Sequence, residues 1–161
     1  MFARESVLFL YMLGYLKKLV VDIDDARLSE QPAKGMNPPL WILGHLAMVN
    51  DYALKYLGRS GECPQAWHDA FGPGSSAESA SSPKPTKAEL LASIDSTTLG
   101  IVTAAKSASP EAMAKPHGID FLEKGIPTTG DLITHIMTSH IGIHLGQLSA
   151  WRRAAGLPST N

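Results

Sequence analysis

Two histidines near the end of the chain have the spacing of a metal-binding helix. His140 and His144 lie four residues apart in the stretch T-S-H-I-G-I-H-L-G-Q-L. Residues i and i+4 share one face of a helix, about 5–6 Å apart at Cβ, so two imidazoles placed in this way can bind one ion. The residues around the pair on that face are apolar, which predicts that it points into a helical core: Ile133, Met137, Ile141 and Leu148.

The spacing of this pair has two explanations. The first is a metal site, and the second is a pair of core histidines that form hydrogen bonds with the backbone or with water. Buried imidazoles have ring nitrogens that need partners, which makes a purely structural pair awkward. The spacing alone leaves both explanations open.

His45 is the third candidate ligand, at the edge of the apolar stripe of an earlier predicted helix. Metal sites in helical bundles are built from side chains on facing helices. Three neutral imidazoles leave one coordination position open, where an ion can acidify water or polarise a substrate. Taken alone, His45 is more typical of a histidine at the edge of a core.

Other polar residues have weaker patterns. Gln147 follows His144 by three residues and can either orient its imidazole or form a hydrogen bond across helices. The remaining candidates are predicted to be peripheral. We expect Asn50 and Asp51 on a solvated helix surface, His135 exposed on a different face from His140, His68 and His117 in loops that could cover a pocket, and Cys63 in a loop without a partner cysteine.

Four helices must position the histidines, and the pattern contains no strand. Apolar residues recur at three- and four-residue spacings in each helix. The fold predicted is therefore all-α, a four-helix bundle with long crossover connections, in a single domain over residues 1–161. The segments run roughly from Ala3 to Asp22, from Leu40 to Leu57 after an Asn37 N-cap, from the Thr86 capping box to Ser109, and from Thr128 or Thr129 to Ala155.

Two irregular stretches connect these helices. Residues 58–85 are rich in Gly, Ser and Pro, with a turn or two of helix predicted at Gln65–Phe71 and Trp67 as its anchor. A connection of this length usually carries function or disorder. The second stretch runs from Pro110 to Pro127.

Composition excludes several classes of protein. A net charge of −1 with 18% charged residues is too neutral for a chain that binds nucleic acid through phosphates. One cysteine excludes an internal disulfide framework. The apolar stretch Val7–Leu16 has ten residues, against the roughly 20 that span a membrane. We therefore expect a cytoplasmic protein with no membrane partner.

Several motifs together resemble the DinB-like (YfiT-like) family. They are W-I-L-G-H-L-A around His45, H-x-x-x-H-x-G-Q-L from His140, and R-R-x-x-G-L-P from Arg152. The resemblance covers nearly the whole chain in helix order and length. One departure is Leu145, where many members of the family carry arginine.

The resemblance implies a four-helix bundle of unusual connectivity, often a homodimer, that binds a divalent metal ion such as zinc or nickel. The family's three histidine ligands correspond here to His45, His140 and His144, and Gln147 matches as well. The family includes thiol S-transferases that use a low-molecular-weight thiol, a thiol-dependent isomerase, and proteins described as metal-dependent hydrolases. It does not bind DNA.

Two functions follow as hypotheses. The first is a metalloenzyme, a hydrolase or thiol S-transferase, that acts on a small-molecule substrate through an open three-histidine site. The second is a non-catalytic, dimeric binding module whose metal site is structural or vestigial. The lack of a fourth ligand favours the enzyme, and the lack of an obvious general base near the histidines favours the binding module.

Overall fold

The computed structural model describes residues 1–75 and 84–160, and within these ranges the chain forms helices and no strand. The prediction of an all-α protein is confirmed. A 3₁₀ turn covers Asp25–Arg27, and a π-helical turn covers Ile136–His140. The α-helices are α1 (Ala3–Val20), α2 (Pro39–Tyr56), α3 (Gln65–Phe71), α4 (Lys87–Lys106), α5 (Pro110–Met113), α6 (Asp120–Glu123), α7 (Thr129–His135) and α8 (Ile141–Ala154).

Local signals mark several of the helix ends. Thr86 forms a capping box with Glu89 at the start of α4, and Thr128 forms one with Asp131 at the start of α7. Gly58, just after α2, has a positive φ of 74°, as a left-handed residue beyond a helix C-terminus requires. The predicted Asn37 cap is wrong, because Pro38 is the N-cap of α2 and Pro39 begins the helix.

The long helical segments pack around one core. Helix α2 contacts α4 and α8, and α1 contacts the same two helices from the other side. Helix α2 is buried on nearly all of its surface, as expected for a helix that is apolar all round. This arrangement places His45 of α2 opposite the start of α8.

One connection contains more helix than the sequence predicts. The stretch from Pro110 to Pro127 holds α5 and α6. Helix α3 is present as predicted, with Trp67 packed against the core. The Ser/Pro-rich residues 76–83 of the long connection lie outside the described residues.

Helices α1 and α4 turn some apolar residues outward. Leu8 and Leu99 belong to the apolar residues at three- and four-residue spacings in these helices, yet they are 46% and 56% exposed. The buried stripe of α1 is instead Phe9, Leu13 and Leu16. The stretch Val7–Leu16 is apolar at almost every position, so its pattern does not determine which face is buried.

Arg152 anchors the end of α8 to the end of α1. Its guanidinium forms an ion pair with Asp22 and donates to the carbonyl oxygens of Leu19 and Pro158. The Arg152 side chain is almost completely buried, and these bonds satisfy most of its donors. Among the described residues, no helix combines the length and the apolar character needed to cross a membrane.

Candidate metal centre

Three histidines converge inside the bundle, one from α2 and two from the facing segment formed by the π turn and α8. One ring nitrogen from each of His45, His140 and His144 lies within 4.8 Å of the other two. Nε2 of His45 is 3.2 Å from Nε2 of His140. The structure therefore brings together the three histidines that the sequence predicts as ligands, in a cluster that could hold a metal ion.

Hydrogen bonds orient two of the three imidazoles. Nδ1 of His45 donates to the carbonyl oxygen of Phe71 at 2.7 Å, and Nδ1 of His144 donates to Oε1 of Gln147 at 3.0 Å. A proton on Nδ1 leaves the lone pair on Nε2, which is the form that binds a metal. Of the two alternatives that the sequence leaves open for Gln147, the structure contains the hydrogen bond to the His144 imidazole.

A tryptophan ring packs against one face of the His45 imidazole. The Trp41 indole stacks on the His45 imidazole, with ring centroids 4.6 Å apart and planes 9° from parallel. Nε1 of Trp41 donates to Oγ of Ser75 at 3.0 Å, which fixes the indole in turn. His45 is therefore held both by its hydrogen bond and by the stacked ring.

Burial keeps all three imidazoles neutral. It lowers the pKa of His45 below the ordinary value. Burial, together with repulsion from the neighbouring histidines, lowers the pKa of His140 to about 2 and that of His144 to about 4. Neutral imidazole is the form in which histidine binds a metal ion.

The ring nitrogens of His140 indicate whether the cluster fits a metal ion. Its Nδ1 is buried with no hydrogen-bond partner among the described residues, and its Nε2 faces the lone pair of another imidazole. A histidine retained only for packing would normally have partners for these atoms. Two nitrogens bound to one tetrahedral zinc ion lie about 3.3 Å apart, close to the separation of the His45 and His140 Nε2 atoms. The donor set fits a divalent ion.

The π turn brings a fourth histidine beside His140 but outside the three-histidine cluster, and the prediction that His135 is exposed on another face is wrong. Five residues of a regular α-helix rotate the side-chain direction by about 140°. The wider π turn, with its i→i+5 bonding, accommodates one extra residue, and the His135 ring lies edge-on to His140 at 5.5 Å. Partial burial lowers the pKa of His135.

A cavity of about 530 Å³ opens beside the cluster, with His45 and His140 on its wall. Among the described residues, every side chain that lines it is apolar, aromatic or a histidine. Helix α2 contributes Trp41, Tyr52 and Tyr56, and the segment around α6 contributes Phe121 and Leu122. The hydroxyl of Tyr56 is already used, because it donates to the carbonyl oxygen of His117 at 2.8 Å.

His117 organises the segment that forms this wall, so the prediction of a surface loop residue is wrong. It is buried, its Nε2 donates to the carbonyl oxygen of Ile126 at 2.6 Å, and its Nδ1 accepts from the amide of Ile119 at 3.0 Å. Both ring nitrogens tie the two ends of α6 together. The expectation that this loop could cover a pocket agrees with the position of Phe121 and Leu122.

The predictions for Asn50, Asp51 and His68 are also wrong, since all three are buried. Asn50 donates to the hydroxyls of Thr97 and Thr98 on α4. Asp51 accepts from Nε2 of His68 at 2.9 Å and from the amides of Glu62 and Cys63. The Asp51 bonds hold the chain between α2 and α3, and the Asn50 bonds join α2 to α4; both sets lie outside the histidine cluster.

Two further residues lie away from the cluster. Cys63 is half-buried, with its Sγ 3.5 Å from the Ser93 hydroxyl, and burial raises its thiol pKa, which disfavours a nucleophile. Leu145 is buried and borders a groove between α1 and α8.

Comparison with known protein families gives a match over most of the chain. A sequence model of the DinB superfamily matches residues 9–148, which include all three clustered histidines. No curated protein sequence matches the chain. The matched range covers most of the chain and all of its long helical segments except the ends of α1 and α8.

Proposed function

The chain belongs to the DinB superfamily, and we propose that it binds one divalent metal ion, zinc or nickel, through His45, His140 and His144. We propose further that this centre acts on a small molecule, as a hydrolase or a thiol S-transferase. The observation that supports the proposal is the convergence of three neutral imidazoles beside a cavity, two of which, His45 and His140, also line it.

The residues around the cluster have distinct roles in this proposal. The Phe71 carbonyl and the Gln147 amide hold the Nδ1 protons, so that Nε2 of His45 and Nε2 of His144 face the centre. A divalent ion with an open coordination position supplies Lewis acidity, which lowers the pKa of a bound water or thiol. The side chains that line the adjoining cavity are mostly apolar, and walls of this kind favour the exclusion of bulk water from a bound ligand.

Metal content tests the first part of the proposal. We expect about one zinc or nickel ion per purified chain by inductively coupled plasma mass spectrometry, and its loss in His144→Ala. His135→Ala is the matched control, because His135 lies on the same helical segment but outside the cluster, and it should keep the metal. Absence of metal after chelation and reloading would contradict the proposal.

Activity tests the second part. Metal-loaded protein and His144→Ala would be compared on small esters and amides, and on small electrophiles with added thiols. Turnover by the loaded protein alone, with water or with thiol, identifies which nucleophile the site uses. Far-ultraviolet circular dichroism of both proteins confirms that the variant is still helical.

A second candidate is a dimeric binding module without turnover. The observation in its favour is that no carboxylate lines the cavity among the described residues, so no acidic side chain is placed as a base there. Helix α1 exposes Val7, Leu8 and Tyr11, which a second copy of the chain could cover. Light scattering of wild-type protein and Tyr11→Glu tests the homodimer: a dimer that persists in the variant would exclude this face.

A further inference from the structure

The walls of the cavity beside the three histidines indicate what kind of molecule it takes. The helix α2 side carries the Trp41 indole and the rings of Tyr52 and Tyr56, and the opposite side carries Phe121 and Leu122. The volume, about 530 Å³, lies within the range of small-molecule sites. The lining is therefore a set of flat rings and branched aliphatic side chains around a ligand-sized space.

Polar groups occupy one end of this space. His45, His135 and His140 line this space, and no lysine, arginine or carboxylate among the described residues does. The Tyr56 hydroxyl is held by the His117 carbonyl, so Tyr56 presents its ring to the cavity. A ligand would place its reactive group at the histidine end and its body against the rings.

We infer that the substrate class of this site is an uncharged small molecule with an aromatic body. Burial of apolar area against such walls is favourable, whereas a charged body would lose hydration without gaining a charged partner from the lining. Aromatic rings add edge and stacking contacts with Trp41 and the tyrosines. The inference rests on the proposed function, because the ligand is a substrate only if the histidines hold the ion.

A matched pair of ligands tests the inference. 2-Naphthamide and 2-naphthoate have nearly the same shape and differ in charge at neutral pH. Both would be titrated by calorimetry into full-length protein stripped of metal, so that a carboxylate cannot bind through an ion. We expect the amide to bind about tenfold or more tightly than the carboxylate.

A charged substitution at the mouth locates the binding. Phe121 lines the cavity but is 72% exposed, so Phe121→Lys should fold normally. We expect it to reduce the preference for the amide at least threefold. Leu99→Lys is the control, because Leu99 is 56% exposed on α4, outside the cavity lining, and the preference should not change.

Each result has a defined meaning. Equal affinities, tighter binding of the carboxylate, no binding of the amide, or a preference unaffected by Phe121→Lys would overturn the inference. Metal content of the same preparations before stripping reports separately on the proposed function. A strong amide preference in a chain that binds no metal would support the apolar site and contradict the metal centre. Bound metal without an amide preference would support the metal centre and contradict the apolar site.

Discussion

The carbonyl oxygen of Phe71 accepts the Nδ1 proton of His45 at 2.7 Å, across 26 residues of sequence. Phe71 is the last residue of α3, so this short helix determines the orientation of an imidazole on α2. The close approach depends on Gly44, since a Cβ there would lie within 3.0 Å of three Phe71 ring atoms. A glycine without chemistry of its own thus makes room for the residue that orients His45.

Gly44→Ala should destabilise the protein and weaken its metal binding together. The added methyl group forces the buried Phe71 ring to move, and overpacking of this kind costs about 1–3 kcal/mol. Urea unfolding measures the change in stability, and competition with a chromophoric chelator measures the change in affinity. Gly14→Ala is the control, because no atom lies within 4 Å of a Cβ at that exposed position of α1. An unchanged Gly44→Ala protein would show that Phe71 does not depend on this space.

Gln147→Leu should lower metal affinity about 10- to 100-fold while leaving the helix intact. The variant removes the oxygen that accepts the Nδ1 proton of His144, and the imidazole is then free to rotate or to change tautomer. Gln147→Glu keeps an acceptor at the same position and should retain most of the affinity. The same chelator competition compares the three proteins, and equal affinity for Gln147→Leu would contradict an orienting role.

His117→Ala should loosen the wall of the cavity without removing metal. The substitution deletes the acceptor of the Ile119 amide and the donor to the Ile126 carbonyl. Hydrogen–deuterium exchange of residues 117–126 should become faster, and the affinity for 2-naphthamide should fall severalfold. Lys124→Ala, an exposed change in the same segment, is the control. Unchanged exchange in His117→Ala would show that other contacts hold this wall.

Acid should weaken the link between α1 and α8. The hydrogen bond from Arg152 is the main reason that the pKa of Asp22 lies below its ordinary value. A lowered carboxyl pKa gives stability that is present above the unfolded-state pKa, near 3.8, and is lost as the pH falls through the folded-state pKa. The free energy of unfolding should therefore fall between about pH 5 and about pH 2, and Asp22→Asn should make that fall smaller. Asp24→Asn is the control, and a pH dependence like that of wild type in Asp22→Asn would contradict this account.

Local features of this chain could be predicted from its sequence. The capping residues Thr86 and Thr128 act within one turn, so the starts of α4 and α7 follow from a few neighbouring residues. The i, i+4 spacing likewise places His140 and His144 side by side. The facing position of His45 needed more, because it depends on which helices become neighbours.

Features that depend on distant partners could not be predicted. Asp51 and Asn50 are typical surface residues, and their burial follows from His68 and from Thr97 and Thr98. Those partners lie 17 to 48 residues away, and no local pattern pairs them. The outward position of Leu8 has a related cause. Helix α1 has apolar residues on more than one face, and its contacts with the other helices bury the face that carries Phe9.

The π turn in the last helix has a consequence for how chains of this kind can be aligned. Ile133 and Ile141 are both buried although they are eight residues apart, a spacing that would leave them about 80° out of phase in a regular α-helix. With one residue fewer between them, they would be about 20° out of phase without any π turn. The π turn thus has the same geometric effect as the insertion of one residue into a regular helix, and the residues before and after it still face the core. In a chain without that extra residue, the equivalents of His135 and His140 would lie four residues apart on the same helix face. An alignment without a gap at this point would therefore assign the residues of its cavity wall to the wrong positions.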